Sequence, residues 1–92
     1  MAGARYAADP PRLIRSVELD GLTAIYHRRS GLTHILAPPA PQILEALAGE
    51  PGTAAEIAAR IGERFEIAEE DVASALEARL GELEAAGLVW RL

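Results

Sequence analysis

The sequence predicts an α+β fold, in which a three-stranded antiparallel meander is followed by three helices and a short C-terminal strand. Two patterns indicate this fold. Short runs rich in β-forming residues fill the first third of the chain, and amphipathic helical stripes separated by turn residues fill the remainder. The 92 residues are enough for one hydrophobic core and too few for two ordinary domains. With 50% hydrophobic and 25% charged residues, the composition is that of a globular domain.

The amino-terminal segment MAGARYAADPP has no hydrophobic periodicity, carries small residues and ends in Pro-Pro. Chain ends of this kind are seldom tied down, so we expect residues 1–11 to form a flexible arm. The remaining residues, 12–92, are predicted to form a single domain.

Three strand-like runs follow the arm, at Arg12–Leu19, Leu22–His27 and Leu32–Leu36. In the first run the apolar Leu13, Val17 and Leu19 share one parity, which suits a half-buried strand. A two-residue Asp20-Gly21 link joins the first two runs and favours a tight hairpin, because both central residues need positive φ. The resulting meander leaves the third strand at an edge of the sheet unless another segment covers it.

Turn residues and caps delimit three helices. The first is predicted to start near Pro39–Pro41 and to end at Gly49, because proline is tolerated in a first turn. Thr53 and Glu56 have the spacing of a capping box that opens the second helix. The third begins around Glu69 and stops at Gly87, with a buried stripe of Val72, Leu76, Leu80 and Leu83. Leu88–Leu92 is predicted to form a short end strand, and its Trp90 is expected to cover one end of the core.

The composition excludes several functions. The absence of cysteine removes disulfides, thiol nucleophiles and cysteine zinc sites, and two isolated histidines do not build a metal site. We therefore expect no cofactor. No apolar run approaches the roughly 20 residues that span a bilayer, and the amino end lacks the apolar core of a signal peptide. We expect a cytoplasmic protein that does not bind membranes.

The candidate chemical groups do not form a catalytic pattern. Glu69-Glu70-Asp71 is the densest carboxylate cluster, but adjacent helical residues diverge by about 100°, so a solvated helix N-terminus is the better interpretation. His34 lies in the middle of the edge strand, where it is either an ordinary strand histidine or a contact in a ligand groove. Since neither a partner nor a nucleophile accompanies His34, the sequence predicts a protein that is not an enzyme.

Two helices joined by a turn, a longer third helix and attached strands are also the elements of a winged helix, which reads DNA through its third helix. From Glu69 to Ala86 the chain has six acidic residues and one arginine, a net charge of -5. Phosphate would repel such a helix. What remains is an edge strand beside an amphipathic helix, a pair that can accept an extended peptide as an added strand.

The stretch from Tyr26 to Val89 carries a recognisable series of motifs. These are Ser30-Gly31, Thr33-His34, Leu36, Pro38, Ile43-Leu44, Ala55-Glu56-Ile57, Asp71-Val72 and Leu83-Glu84 through Gly87-Leu88. In that order they resemble the PqqD-like proteins, most closely the PqqD-family peptide chaperones of HPr-related systems. The chain departs from the family at Ala37, where Asn or Asp usually precedes the proline, and at the awkward Pro41, so the first helix is expected to begin later.

The resemblance implies a winged-helix module that recognises the leader of a precursor peptide and presents it to a modifying enzyme, as a RiPP recognition element does. In that family the leader adds to the third strand and lies against the third helix. Carried over by position, the strand comprises Leu32, Thr33, His34, Ile35 and Leu36, and the helix face comprises Val72, Ala75, Leu76, Arg79 and Leu80. A DNA-binding winged-helix regulator and a small structural subunit of a complex are the alternatives. The unpaired edge also leaves open a homodimer formed by strand exchange.

Overall fold

The computed structural model describes residues 4–64 and 69–92, with side chains described for residues 4–63 and 76–92. Six strands and three helices occupy these ranges. The strands are β1 (Arg5–Ala8), β2 (Ile14–Leu19), β3 (Leu22–His27), β4 (Leu32–Leu36), β5 (Gly52–Thr53) and β6 (Val89–Arg91). The helices are α1 (Ala40–Ala46), α2 (Ala54–Arg64) and α3 (Glu69–Ala85), and a 3₁₀ turn lies at Pro11–Leu13. The predicted α+β class, with antiparallel strands and three helices, is confirmed.

The strands form two separate antiparallel sheets. The predicted meander is present as a sheet of order β2-β3-β4, in which β2 and β4 are both edges. Its first turn is the predicted hairpin, with φ of 47° at Asp20 and 82° at Gly21. The second sheet has the order β5-β1-β6 and was not predicted.

A strand within the first eleven residues is the main correction to the sequence-based description. Residues 1–11 were expected to form a flexible arm, but Arg5–Ala8 pairs with β5 on one side and β6 on the other. Four residues without a hydrophobic pattern carry no strand signal of their own, and their pairing depends on two distant segments being in place. Trp90 is also exposed, while Leu88 and Val89 are the buried residues of the C-terminal segment.

One hydrophobic core joins the helices to the inner face of the meander sheet. It contains Ile43 and Leu47 from the first helical region, Ile57 and Ile61 from α2, and the buried residues Leu76, Leu80 and Leu83 of α3, together with Ile25 of β3. Leu36 of β4 and Ile14 of β2 pack against its margin. The helices therefore cover one face of the meander sheet.

Alternation along β2 places its buried side on the parity of Ile14, opposite to that of Val17 and Leu19. Ile14 is half-buried, whereas Val17 and Leu19 are exposed. The predicted half-buried strand thus has its apolar Val17 and Leu19 on the solvent face. The sequence pattern defined two faces correctly but could not tell which of them the helices would cover.

Local helix signals are confirmed where the structure describes them. The Thr53 amide donates to Glu56 Oε1 at 2.9 Å and the Glu56 amide donates to Thr53 Oγ1 at 3.2 Å, which is a reciprocal capping box. The bond from the Thr53 amide, as the largest cause, lowers the pKa of Glu56. At the end of α3, Leu88 N–H donates to Leu83 O and Gly87 N–H to Glu84 O, with φ of 79° at Gly87. These bonds form a Schellman motif.

The first helix differs from its predicted bounds. It begins at Ala40, as the prolines suggested, but ends at Ala46, before the predicted Gly49. Pro39 occupies the N-cap and makes no side-chain hydrogen bond there, in keeping with the absence of a capping side chain at Ala37.

Candidate functional site

The edge strand β4 presents its two sides to different surroundings. His34 and Leu36 are half-buried and point toward the helices, while Thr33 and Ile35 point to solvent. Leu32 shares the inner parity but is exposed at the start of the strand. The inner side chains of β4 therefore face the core that α3 helps to build.

The hydrogen-bond alternation shows which β4 amides point away from β3. The Arg28 amide donates to Leu13 O at 2.8 Å, so these two residues form a hydrogen-bonded pair. Hydrogen-bonded pairs alternate with non-hydrogen-bonded ones along an antiparallel ladder, so the next hydrogen-bonded pairs are Arg15–Tyr26, Val17–Ala24 and Leu19–Leu22. The even-numbered residues of β3 thus face β2 and its odd-numbered residues face β4. In β4, Thr33 and Ile35 lie opposite Tyr26 and Ala24, both of which bond to β2. The N–H and C=O groups of Thr33 and Ile35 consequently point away from the sheet.

The predicted helix residues do not all lie on an open surface. Leu76 and Leu80 are core residues, so they would support a groove from beneath and not contact a peptide with their full side chains. Arg79 is partly exposed, and its Nη1 lies 2.7 Å from a carboxylate oxygen of Glu82. The side chains of Val72 and Ala75 lie outside the described set.

His34 is the polar side chain on the inner side of β4. It stands opposite Ile25 in the β3–β4 register, and its Nε2 is buried without a hydrogen-bond partner among the described residues. A buried nitrogen without a partner costs about 1–3 kcal/mol, so a ligand group that bonds to it would recover part of that energy. A contact between His34 and a ligand stays a prediction.

A buried cluster that the sequence did not predict lies at the beginning of β4. Asp9 and His27 are 2% and 4% exposed, and Asp9 Oδ2 is 2.5 Å from His27 Nε2. His27 Nδ1 is 2.8 Å from Ser30 Oγ, which accepts the Leu32 amide at 3.3 Å. Arg29 Nη2 lies 3.0 Å from the other carboxylate oxygen of Asp9.

The order of Asp9, His27 and Ser30 is that of a hydrolytic triad, but its contacts are those of a structural clamp. Ser30 Oγ accepts a backbone amide within the turn, so it is held in the hairpin and not aimed at an open cleft. The turn itself closes with Gly31 N–H donating to His27 O at 2.8 Å. The cluster joins the segment before β2 to the first residue of β4. A histidine on the buried parity of β3 signals that a partner is needed, but the sequence does not say which one.

The two edges of the meander sheet differ in charge. The β2 strand carries Arg15 and Glu18, and charged side chains are a common device that discourages pairing at an edge. The β4 strand, LTHIL, carries no carboxylate, arginine or proline. A cavity of about 450 Å³ lies beside β2, between its inner face and α1, and its lining includes Glu18, Gln42 and Leu44. The cavity and the predicted strand are therefore at opposite edges of the sheet.

No described helix is long and apolar enough to cross a membrane. Within residues 4–64 and 69–92, no group of three or more histidine, aspartate and glutamate side chains is arranged to hold a metal ion.

A family model described as coenzyme PQQ synthesis protein D (PqqD) matches residues 23–89, which is more than two thirds of the chain. The chain belongs to the PqqD family. The match starts in β3 and takes in β4 and all three helices, so it includes both elements of the predicted site. Asp9 and β2 precede the residues that match the PqqD model.

A solved structure described as TbiB1 in complex with the TbiA(beta) leader peptide has the same fold as this PqqD-family chain, with a TM-score of 0.55. The two sequences are 20% identical, and the similarity covers 84% of this chain and 88% of the other. No curated protein gives a significant match.

Proposed function

We propose that this protein recognises the leader segment of a precursor peptide, which adds as a strand to β4, and presents it to a modifying enzyme. The observation that carries the proposal is the β4 edge, where Thr33 and Ile35 direct two amides and two carbonyls outward. Membership of the PqqD family and the fold shared with a leader-bound protein support it. We propose no catalytic step and expect the protein to act in the cytoplasm.

An added strand would obtain affinity and specificity from different atoms. The outward main-chain groups of Thr33 and Ile35 provide a sequence-independent ladder, while alternate leader side chains fit the space beside the strand. On the inner side this space is bordered by His34 and Leu36. We include Arg79 of α3, whose guanidinium pairs with Glu82, as a residue of the site. We include Val72 and Ala75 as the remaining helix positions of the site, with Leu76 and Leu80 beneath it.

The choice of β4 over β2 follows from their side chains. A leader strand at β2 would lie beside Arg15 and Glu18, and ordering these charged groups would cost entropy and hydration. At β4 the neighbouring side chains include no carboxylate and no arginine. Because fewer charged side chains would have to be ordered and desolvated, a leader strand should bind more tightly at β4 than at β2.

The arrangement of three helices and a hairpin is that of a winged helix in our interpretation, but the charge of its third helix does not suit DNA. Six acidic residues and one arginine between Glu69 and Ala86 oppose phosphate binding. Titration with duplex DNA at low salt should give no shift. A salt-sensitive shift would instead revive the DNA-binding alternative.

The test of strand addition is the substitution Ile35→Pro. Proline removes the outward N–H of residue 35 and leaves the bonds between β3 and β4 intact, so leader affinity should fall at least tenfold. The measurement is a calorimetric titration with the leader segment of any precursor peptide whose gene lies near the gene of this chain. Amide shifts at Leu32–Leu36 on titration of the wild-type protein locate the contact.

The matched control is Ser16→Pro, which removes an outward amide from β2, the other edge. It should leave leader affinity within twofold of wild type. A folded Ile35→Pro variant that binds the leader with unchanged affinity would contradict addition at β4, and a loss confined to Ser16→Pro would move the site to β2.

A further inference from the structure

The face of the meander sheet that points away from the helices is apolar and exposed. Its large hydrophobic residues are between 42% and 59% exposed, and we call them the outer apolar face: Val17, Leu19, Leu22, Tyr26 and Ile35. The strand register makes this a continuous surface. Val17, Ala24 and Ile35 form one row across all three strands, and Leu19 and Leu22 pair at the hairpin end.

The core does not require these residues. Packing of the sheet on the helices uses the opposite face, through Ile25, with Ile14 and Leu36 at its margin. Contiguous apolar surface on a small protein favours association, and it marks interaction sites more often than single exposed residues do. No segment among residues 4–64 and 69–92 covers the outer apolar face, as the exposure of its five members indicates.

We propose that the outer apolar face is the docking surface for the modifying enzyme and that the bound leader extends it. This inference rests on the proposed leader binding at β4. Thr33 and Ile35, which offer the free main-chain groups of the edge, also lie on the outer side of the sheet. Because side chains alternate along a strand, every second residue of an added leader would stand on the same surface beside Ile35.

An enzyme on this surface would contact the recognition protein and the leader at the same time. Its affinity for the loaded protein would therefore exceed that for the free protein, and by linkage the enzyme would strengthen leader binding by the same factor. The outer apolar face and the bound leader would together form the complete docking surface for the enzyme, and the free protein would present only part of it.

The charges around the face specify the chemistry of the partner. Arg15 lies in the row with Tyr26 and Thr33, and Arg28 follows β3 in the adjacent turn, whereas Asp20 occupies the opposite end. A fitting enzyme surface is apolar at its centre and carries carboxylates where it meets Arg15 and Arg28.

The test uses Val17→Glu in the full chain, with a leader peptide that binds the wild-type protein and the enzyme that modifies its precursor. Val17 is on β2, away from the β4 edge, and its exposure lets a glutamate remain hydrated in the free protein. Enzyme affinity at saturating leader should fall at least tenfold, because docking would bury an unpaired charge. Leader affinity measured without the enzyme should stay within twofold.

The matched control is Ser16→Glu, which adds the same charge to the neighbouring residue on the other side of β2 and should change neither affinity. Unchanged enzyme affinity in Val17→Glu would overturn the docking proposal while leaving leader recognition intact. Failure of the wild-type protein to bind the leader would instead overturn the proposed function, and it appears in the first titration. If sedimentation shows a wild-type dimer that Val17→Glu dissociates, a second copy occupies the face and the docking proposal is wrong.

Discussion

The β2 and β4 edges of the meander sheet flank the same central strand, but they differ in their charged side chains and in the contacts that hold their ends. β2 carries two charged side chains and leads into a two-residue turn at Asp20-Gly21. β4 carries none of these charges, and its first residue is held through Ser30 by the buried Asp9–His27 pair. In our proposal β4 is the edge that accepts a peptide, because it carries few charges and its first residue is held in place.

The importance of anchoring can be tested by breaking the clamp at its buried acid. Asp9→Ala leaves His27 Nε2 buried without a partner, and we expect a loss of about 2–3 kcal/mol in the free energy of unfolding. Chemical denaturation measures this loss. Leader affinity should also fall, since the turn before β4 loses its support.

Asp9→Asn is the control, because the amide oxygen can still accept a hydrogen bond from His27. It should be less destabilising than Asp9→Ala. If the two variants lose the same stability, the carboxylate charge and not the hydrogen bond holds the turn.

The two turns of the meander allow the edges to be compared with matched substitutions. Gly21 and Gly31 both have positive φ, of 82° and 74°, and an added Cβ meets nothing within 4 Å at either position. Alanine at either glycine should therefore cost about 1–2 kcal/mol through backbone strain alone. Only Gly31→Ala should also weaken leader binding, because it lies in the turn that leads into β4.

Gly49→Ala serves as the reference for this pair, since an added Cβ there also meets nothing within 4 Å and no positive φ is involved. It should change neither stability nor binding appreciably. Equal weakening of leader binding by Gly21→Ala and Gly31→Ala would show that the two edges are not independent.

The smallest effect is expected far from both edges. Thr53→Ala removes the hydroxyl that accepts the Glu56 amide at the start of α2, and it should cost about 1 kcal/mol of stability. Thermal or chemical unfolding measures this change. Leader affinity should stay at the wild-type value, and a loss of affinity would show that global stability, not the β4 edge, limits binding.

Local motifs were predictable because their partners are close in sequence. Thr53 and Glu56 are three residues apart, and Asp20-Gly21 and Gly87 act through their own backbone conformations. The exposed edge at β4 followed from the order of the strands. The turns and caps do not depend on how distant segments pack, whereas β4 is an edge because no other described strand pairs with it.

The clamp and the outer apolar face were not predictable in the same way. Asp9 and His27 are 18 residues apart, and only the folded chain brings them together. Likewise, alternation showed that Val17 and Leu19 share a face, but the packing of the helices on Ile25 decided that this face is outside.

The sequence by itself determined the meander strands, the presence of three helices, the Asp20-Gly21 turn, the caps of α2 and α3, the missing cysteine chemistry and the acidic third helix, because these depend on residue type and short spacing. Tertiary structure decided the second sheet, the burial of Asp9 against His27 and the side of the meander that the helices cover. These features require contacts between segments that are distant in sequence. The free energy that favours one set of such contacts comes from the whole core and not from any short stretch of sequence.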